Sequence, residues 1–210
     1  GYSNTACSDS ECGAFVGGGI DNSALGNSTT VAGGRENNAS GCCAFIGGGQ
    51  CNKASGNFSV VGGGFKNCAN QGSSTIAGGC LNENNGCCAF IGGGHTNHIN
   101  ETGYYSTIAG GQYGCIKCDY SGIGSGYCNH VCAHYGFIGG GCCNCITDTD
   151  FCQASIFGSN ITAVSGKTLH TNRLWLSADV GGCSLPTSDP KVAGMVWRST
   201  NDLKISTGPS

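Results

Sequence analysis

Branched aliphatic residues recur along this chain at a near-constant interval, each opening a Gly/Ala-Gly-Gly-like run: Val16, Val31, Ile46, Val61, Ile76, Ile91, Ile108, Ile123, Ile138 and Ile156. Seven of the nine steps between them are 15 residues, and the other two are 17 and 18. A fixed short period is the mark of a stacked-coil architecture, in which one repeat cannot bury a core alone and its neighbours supply the missing walls. The pattern predicts an all-β fold, a β-solenoid or β-roll of about ten 15-residue coils over residues 1–165. Residues 166–210 fall outside the period and are expected to form a small C-terminal β cap.

Taking each aliphatic anchor as position zero, position minus two is small throughout, from Ala14 and Thr29 to Gly136 and Ala154. Position plus eight is a second apolar site: Ala24, Ala39, Ala54, Ala69, Ile99, Ile116, Val131, Ile146 and Val164, with Asn84 the polar exception. Same-parity positions of a strand share a face, so each coil is read as two short strands. Between them, position plus six is Asn in eight of ten repeats: Asn22, Asn37, Asn52, Asn67, Asn82, Asn97, Asn129 and Asn144. Asn tolerates a left-handed turn, and stacked amides can bond to one another along a ladder of coils. Near plus ten, Gly26, Gly41, Gly56 and Gly86 are expected to supply positive φ for the second turn. At roughly 4.8 Å per coil, ten coils make a rod about 48 Å long.

Position minus one carries Phe15, Phe45, Val60, Phe90 and Phe137, although it faces opposite to the anchor. The first strand therefore reads as apolar on both faces. One face is the core of the coil and the other wants a partner, which predicts an oligomer; parity alone leaves open which face is which.

Composition removes several function classes. Forty Gly, 18 Cys and only 10% charged residues are unlike an ordinary globular chain. The net charge of -3, with Lys and Arg scattered singly, offers no basic patch for nucleic acid and no run that favours a membrane surface. No segment approaches the roughly 18 consecutive apolar residues of a spanning helix. The chain opens on Gly1 inside the repeat pattern, and is read as part of something longer.

The stretch Ala44 to Gly56, AFIGGGQCNKASG, resembles the heads of trimeric autotransporter adhesins, the YadA-like left-handed β-roll. The resemblance covers residues 12 to about 165, with each repeat one residue longer than usual and with the Gly-Gly-Gly run as a departure. It implies three parallel chains, hence a homotrimer. The tail resembles a closing segment of tailed-bacteriophage tail-fibre and other virion proteins: Leu185 to Pro190, Val192 to Gly194, Val196-Trp197 and Asn201 to Ser206. From its residues alone the tail reads as an Asp-Pro turn and two strands, as in a hairpin cap. Together the two resemblances imply a phage tail fibre, located on the virion and extracellular on release, with other tail proteins and a host cell-surface receptor, such as a glycan, as partners.

The cysteines admit three readings: disulfides, metal ligands or small core residues. Cys128 and Cys143 share position plus five in adjacent coils and are disulfide candidates, as are Cys68 and Cys80, one coil apart and displaced by three positions. Like-phase members of the Cys12, Cys42, Cys87 and Cys152 series lie too many coils apart to bridge within one chain. Maturation in a reducing cytoplasm, which the phage resemblance implies, favours mostly free thiols, with some bridges after release. Cys115 and Cys118 followed by Cys128, His130, Cys132 and His134 are suitable zinc ligand types. The roll disperses them around the coil, so no metal site and no cofactor is expected, and His130 and His134 are read as surface or turn residues.

Tyr105, Tyr120 and Tyr135 all occupy position minus three at the 15-residue spacing. As an aromatic ladder they are the candidate receptor-binding residues, able to meet a sugar by stacking and hydrogen bonding; the plainer reading is a ladder that stabilises the roll. No catalytic residue is assigned: the 12 carboxylates show no evident pair, and the Gly runs recur ten times where a phosphate loop occurs once. Thr147 to Asp150, in an insertion, is a candidate cation loop. The expected function is a non-enzymatic, rigid trimeric fibre that carries host contacts. The alternatives are a cellular trimeric surface adhesin at the cell surface and an ice- or crystal-binding solenoid, the last disfavoured because Thr30, Thr75 and Thr107 are interrupted by Phe and Val.

Overall fold

The computed structural model describes residues 1–6, 13–150 and 152–172, and the strands Val196–Ser199 and Asp202–Ile205. Among them there is no helix. Two compact units divide the chain, residues 1–172 and 173–210.

The first unit is a β-solenoid. The anchors lie in two-residue strands such as Phe45–Ile46, each paired in parallel with its counterpart one coil away, as in Phe45↔Val60 and Ile46↔Val61. These strands form an 11-stranded sheet that ends with Ser155–Phe157 and Leu169–Thr171. The plus-seven and plus-eight positions form a 10-stranded sheet from Thr5–Ala6 to Cys145–Ile146. A third line of bridges at plus four runs from Tyr2↔Ile20 to Tyr127↔Cys142.

Stacking therefore exceeds the ten anchored coils by a partial coil at each end, about 11 turns in all. Tyr2, Asn4 and Thr5–Ala6 begin the roll without an aliphatic anchor, and strand pairing continues beyond residue 165 to Thr171. The second unit contains an antiparallel pair, with Val196↔Ile205 and Ser199↔Asp202 in register. The expected Asp-Pro turn and the rest of the tail pattern, from Leu185 to Gly194, lie outside the described residues, as does Cys12.

The parity left open by the sequence resolves in favour of the anchors. Val31, Ile46, Val61, Ile76, Ile91, Ile108, Ile138 and Ile156 are completely buried, as are Ala24, Ala39 and Ala54 from the facing sheet. Large aliphatics opposite small ones fill a coil only two strands thick. From Ile99 to Ile146 the facing column enlarges to Ile and Val. Asn84 sits in this apolar column without loss, because its amide donates to the carbonyls of Ala89 at 2.8 Å and Thr75 at 3.2 Å and its oxygen accepts from Gly86 N–H.

The Asn column is a buried ladder, interrupted once at Gly114. Asn67 N–H donates to Asn52 Oδ1 at 3.0 Å, while its Nδ2 donates to the carbonyls of Gly63 and Gly79, both at 2.9 Å. The pattern begins at Asn4 and stops at Gly114, whose backbone N–H donates to Asn97 Oδ1 but which has no amide to continue it; it resumes at Asn129, whose Oδ1 accepts from Asn144 N–H. It ends where Ile161 N–H meets Asn144 Oδ1 at 3.1 Å.

Two turn expectations are corrected. The residue in the left-handed region is not Asn at plus six but its predecessor: Asp21, Glu36, Cys51, Lys66, Leu81 and Thr96 have φ of 53° to 58°. The Asn itself points inward and holds that turn closed. In the second turn Gly26, Gly41, Gly56 and Gly86 do not have positive φ; the left-handed residues there lie at minus three, among them Ser28, Cys43, Phe58 and Ser73. At these four positions close approach calls for Gly instead, since a Cβ on Gly56 would lie 1.9 Å from the Gln71 carbonyl oxygen.

Both insertions are absorbed in turns. The 17-residue step places its extra residues in the exposed turn around Glu101–Thr102, and the 18-residue step places its own around Thr147–Asp150. In the latter a register shift between Ile138 and Gly140 lets Gly140 pair with Phe157. That shift moves the plus-eight role to Ala163, which is buried, and leaves Val164 75% exposed; the expectation that Val164 fills this site is wrong by one residue.

Candidate functional site

Outward positions of the roll form straight columns, so the chemistry of each surface is read directly along the axis. Position minus one presents Phe15, Phe45, Phe90 and Phe137, which are 56, 39, 40 and 40% exposed in the single chain, interspersed with Thr30, Val60, Thr75, Thr107 and Gly122. Beside it, plus one is Gly or Ala from Gly17 to Gly139. No ionisable side chain stands in either column. This face is flat because its strands pair in register and its flanking residues lack bulk.

The facing sheet differs in kind. Its outward column at plus seven reads Lys53, Cys68, Glu83, His98, Cys115, His130 and Cys145. Glu83 Oε2 lies 3.4 Å from His98 Nδ1 in the next coil. Partial burial pushes the thiols of Cys115 and Cys145 up, and burial, aided by Lys117, pushes the His130 imidazole down. A shallow, open cleft of about 220 Å³ is lined by Cys128, His130, Cys143, Asn144 and Cys145. Among the described residues no three His, Cys, Asp or Glu side chains are grouped so as to hold a metal ion.

Tyr105, Tyr120 and Tyr135 come together at the second turn as a stack. Adjacent ring centroids are 5.1 and 5.2 Å apart with interplanar angles of 11° and 7°. Each residue is left-handed, at φ 55° to 56°, which aims its side chain outward along the turn. Stacking covers both faces of the Tyr120 ring. The row therefore offers a partner mainly its ring edges and a line of phenol hydroxyls.

A second aromatic group on the first turn was not legible as a ladder. His95, Tyr113 and Tyr127 meet edge to face, at 6.1 Å between His95 and Tyr113 and 5.7 Å between Tyr113 and Tyr127. They alternate between plus four and plus five, so no single phase contains them.

No protein-family model matches the sequence, and no curated protein matches it.

Cys68, Cys80, Cys128 and Cys143 all stand as free thiols. Cys68 pairs in register with Lys53 and Glu83, whereas Cys80 bridges Phe65 and His95, so these two occupy different columns. Cys128 and Cys143 share one. His134 Nδ1 faces Asp119 Oδ2 at 3.7 Å, also across one coil step. In the candidate cation loop Asp148 Oδ1 accepts from Asp150 N–H at 3.0 Å, an interaction that closes the exposed turn on itself. Among the described residues no helix is long and apolar enough to cross a membrane.

Proposed function

We propose that this chain is a non-enzymatic structural and adhesive protein, a homotrimeric rod of the phage tail-fibre type that carries host-receptor contacts outward on the virion. The observation that supports it most is the uncharged face formed by the minus-one and plus-one columns. Lone exposed apolar residues are ordinary on a protein surface, but a long uncharged strip in which large aromatics recur is a feature of interaction surfaces. Here it extends from Phe15 to Phe137 at the pitch of the coil. Copies of the same chain laid parallel share that pitch, so Phe of one copy can seat against Gly, Ala and Thr of the next all along the rod.

The roll also suits display. Three copies of each outward column give each weak receptor contact a high effective concentration, which raises avidity without new chemistry. The Tyr105–Tyr135 row is the best-formed candidate for such contacts, presenting hydroxyls at coil spacing to a polar receptor such as a glycan.

The test is the mass of the native particle. Native mass spectrometry and light scattering of the full chain are expected to give a trimer, and Phe45→Lys with Phe90→Lys is expected to yield monomers. A monomeric wild-type chain would defeat the reading. Electron microscopy of the intact source separates the settings: threefold rods on a phage tail support the fibre, and rods on a cell envelope transfer the same assembly to a surface adhesin.

A further inference from the structure

The first turns of the coils anchored at Ile123 and Ile138 bring three thiols together. Cys128 and Cys143 hold the same place in successive coils, with φ of 53° and 54°. Cys143 N–H donates to the Tyr127 carbonyl at 2.9 Å, and Cys142 bridges Tyr127 in register. This sets Cys128 and Cys143 one strand spacing apart, about 4.8 Å, inside the window of roughly 4.4–6.8 Å between Cα atoms that a disulfide spans. Partial desolvation and then the neighbouring thiols of Cys142 and Cys128 push the Cys143 thiol pKa up. Cys143 is exposed and the other two are half-buried, so solvent oxidants reach the group.

Among the described residues, no other two cysteines share a column in successive coils. Cys42 and Cys43, with sulfurs 3.7 Å apart, and Cys87 and Cys88, 3.5 Å apart, are neighbours along the chain and not across coils. A bond between sequence neighbours closes a small ring around one peptide and opposes its planarity. A bond from Cys128 to Cys143 imposes no such demand on a backbone already in register.

We propose that Cys128 and Cys143 are a redox-formed staple between successive coils. With a small-molecule disulfide such as oxidised glutathione as oxidant, the Cys143 thiolate attacks one sulfur of that disulfide, forming a mixed disulfide and releasing one small thiolate. The Cys128 thiolate then attacks the Cys143 sulfur, forming the Cys128–Cys143 bond and releasing the second. Two protein thiols lose two electrons, the small disulfide gains them, and the two protons end on the two released thiols. The position is apt. The staple closes immediately before the step that carries the register shift at Ile138 to Gly140 and the longest insertion, where stacking is least regular.

The test is oxidation of the full, folded chain with oxidised glutathione, alkylation of the remaining thiols and chymotryptic mapping by mass spectrometry. Cleavage after Tyr127, Tyr135, Phe137 and Phe151 separates Cys128 from Cys143. A linked pair of peptides, 128–135 with 138–151, is expected from a band that migrates as a single chain without reductant. The oxidised form should melt roughly 5–10 °C higher than the reduced form. Cys128→Ser and Cys143→Ser should each lose the link and the shift, and Cys142→Ser should keep both. A link to Cys142 or Cys145 in place of Cys143, a bridge between chains, or alkylatable Cys128 and Cys143 after oxidation would overturn the proposal.

Discussion

Replacing Asn67 by Ala removes one rung from the middle of the buried Asn ladder. Four side-chain hydrogen bonds go with it: from Nδ2 to the carbonyls of Gly63 and Gly79, and to Oδ1 from the backbone N–H and Nδ2 of Asn82. At about 1 kcal/mol net for each bond the loss is about 4 kcal/mol. The partners are unequal. Gly79 O still accepts from Phe65 N–H, and Asn82 Nδ2 still donates to Gly78 O and Gly94 O, but Asn82 N–H loses its partner inside the roll. The expected cost is about 3–5 kcal/mol, a drop in Tm of roughly 10 °C for a chain of this length. Circular dichroism melts and urea midpoints measure it, with exposed Lys53→Ala as a control expected within about 0.5 kcal/mol of wild type. Hydrogen exchange adds a local readout, since the Asn82 amide should lose protection before those of Asn37 or Asn52. A cost under about 1 kcal/mol, or one equal to the control, would refute the view that the ladder holds the first turn closed.

Gly56→Ala, whose Cβ would fall 1.9 Å from Gln71 O, should cost about 3 kcal/mol or more in a urea melt, whereas Gly78→Ala, with nothing within 4 Å, should be nearly neutral; equal effects would deny the close-approach account. Tyr120→Ala removes two stacked contacts and should destabilise by about 1–3 kcal/mol, and Tyr120→Gly should cost less because Gly accepts the left-handed backbone at φ 55°. The pKa of Glu36 is held down first by the Cys51 thiol, which donates to it at 3.1 Å, and then by Arg35. Because the folded-state pKa is lowered, its stabilising contribution is present above the ordinary carboxylate range and is lost as pH falls through the folded value. Cys51→Ala should move the Glu36 titration, followed by NMR, upward toward the ordinary value; an unchanged titration would sink the assignment.

Column membership was legible in the sequence because it rests on period alone. Val31, Ile46, Asn37 and Asn52 fall where the 15-residue phase places them, and the phase also aligned Tyr105 with Tyr120 and Cys128 with Cys143. Backbone conformation within the turns was not legible. Asp21, Glu36, Cys51, Lys66 and Leu81 share a left-handed φ but no side-chain property, so no composition rule finds them. Turn propensity pointed instead to the adjacent Asn, whose recurrence reflects inward hydrogen bonding, and to Gly56, whose small size serves the neighbouring coil. The exchange of Ala163 for Val164 was likewise hidden, because a register shift beside Gly139 leaves the anchors in place and displaces only the later positions of that coil. Which face of the anchor strand lies inside needed the coil itself. Ile46 and Phe45 are both good core residues, and only the opposing Ala column makes room for one of them.

The direction of the inter-coil hydrogen bonds has a mechanical consequence. Val60 N–H to Ser74 O, Gly62 N–H to Ile76 O and Phe65 N–H to Gly79 O all join one coil to the next, as do the amide rungs between them. Tension applied between the two ends of the roll therefore loads the coil-to-coil contacts in series. The first coil to give way is the terminal or least regular one, and each that opens releases about 15 residues of slack while the rest remain folded. A roll built this way yields stepwise under load and can re-form on its remaining coils as a template when the load is removed.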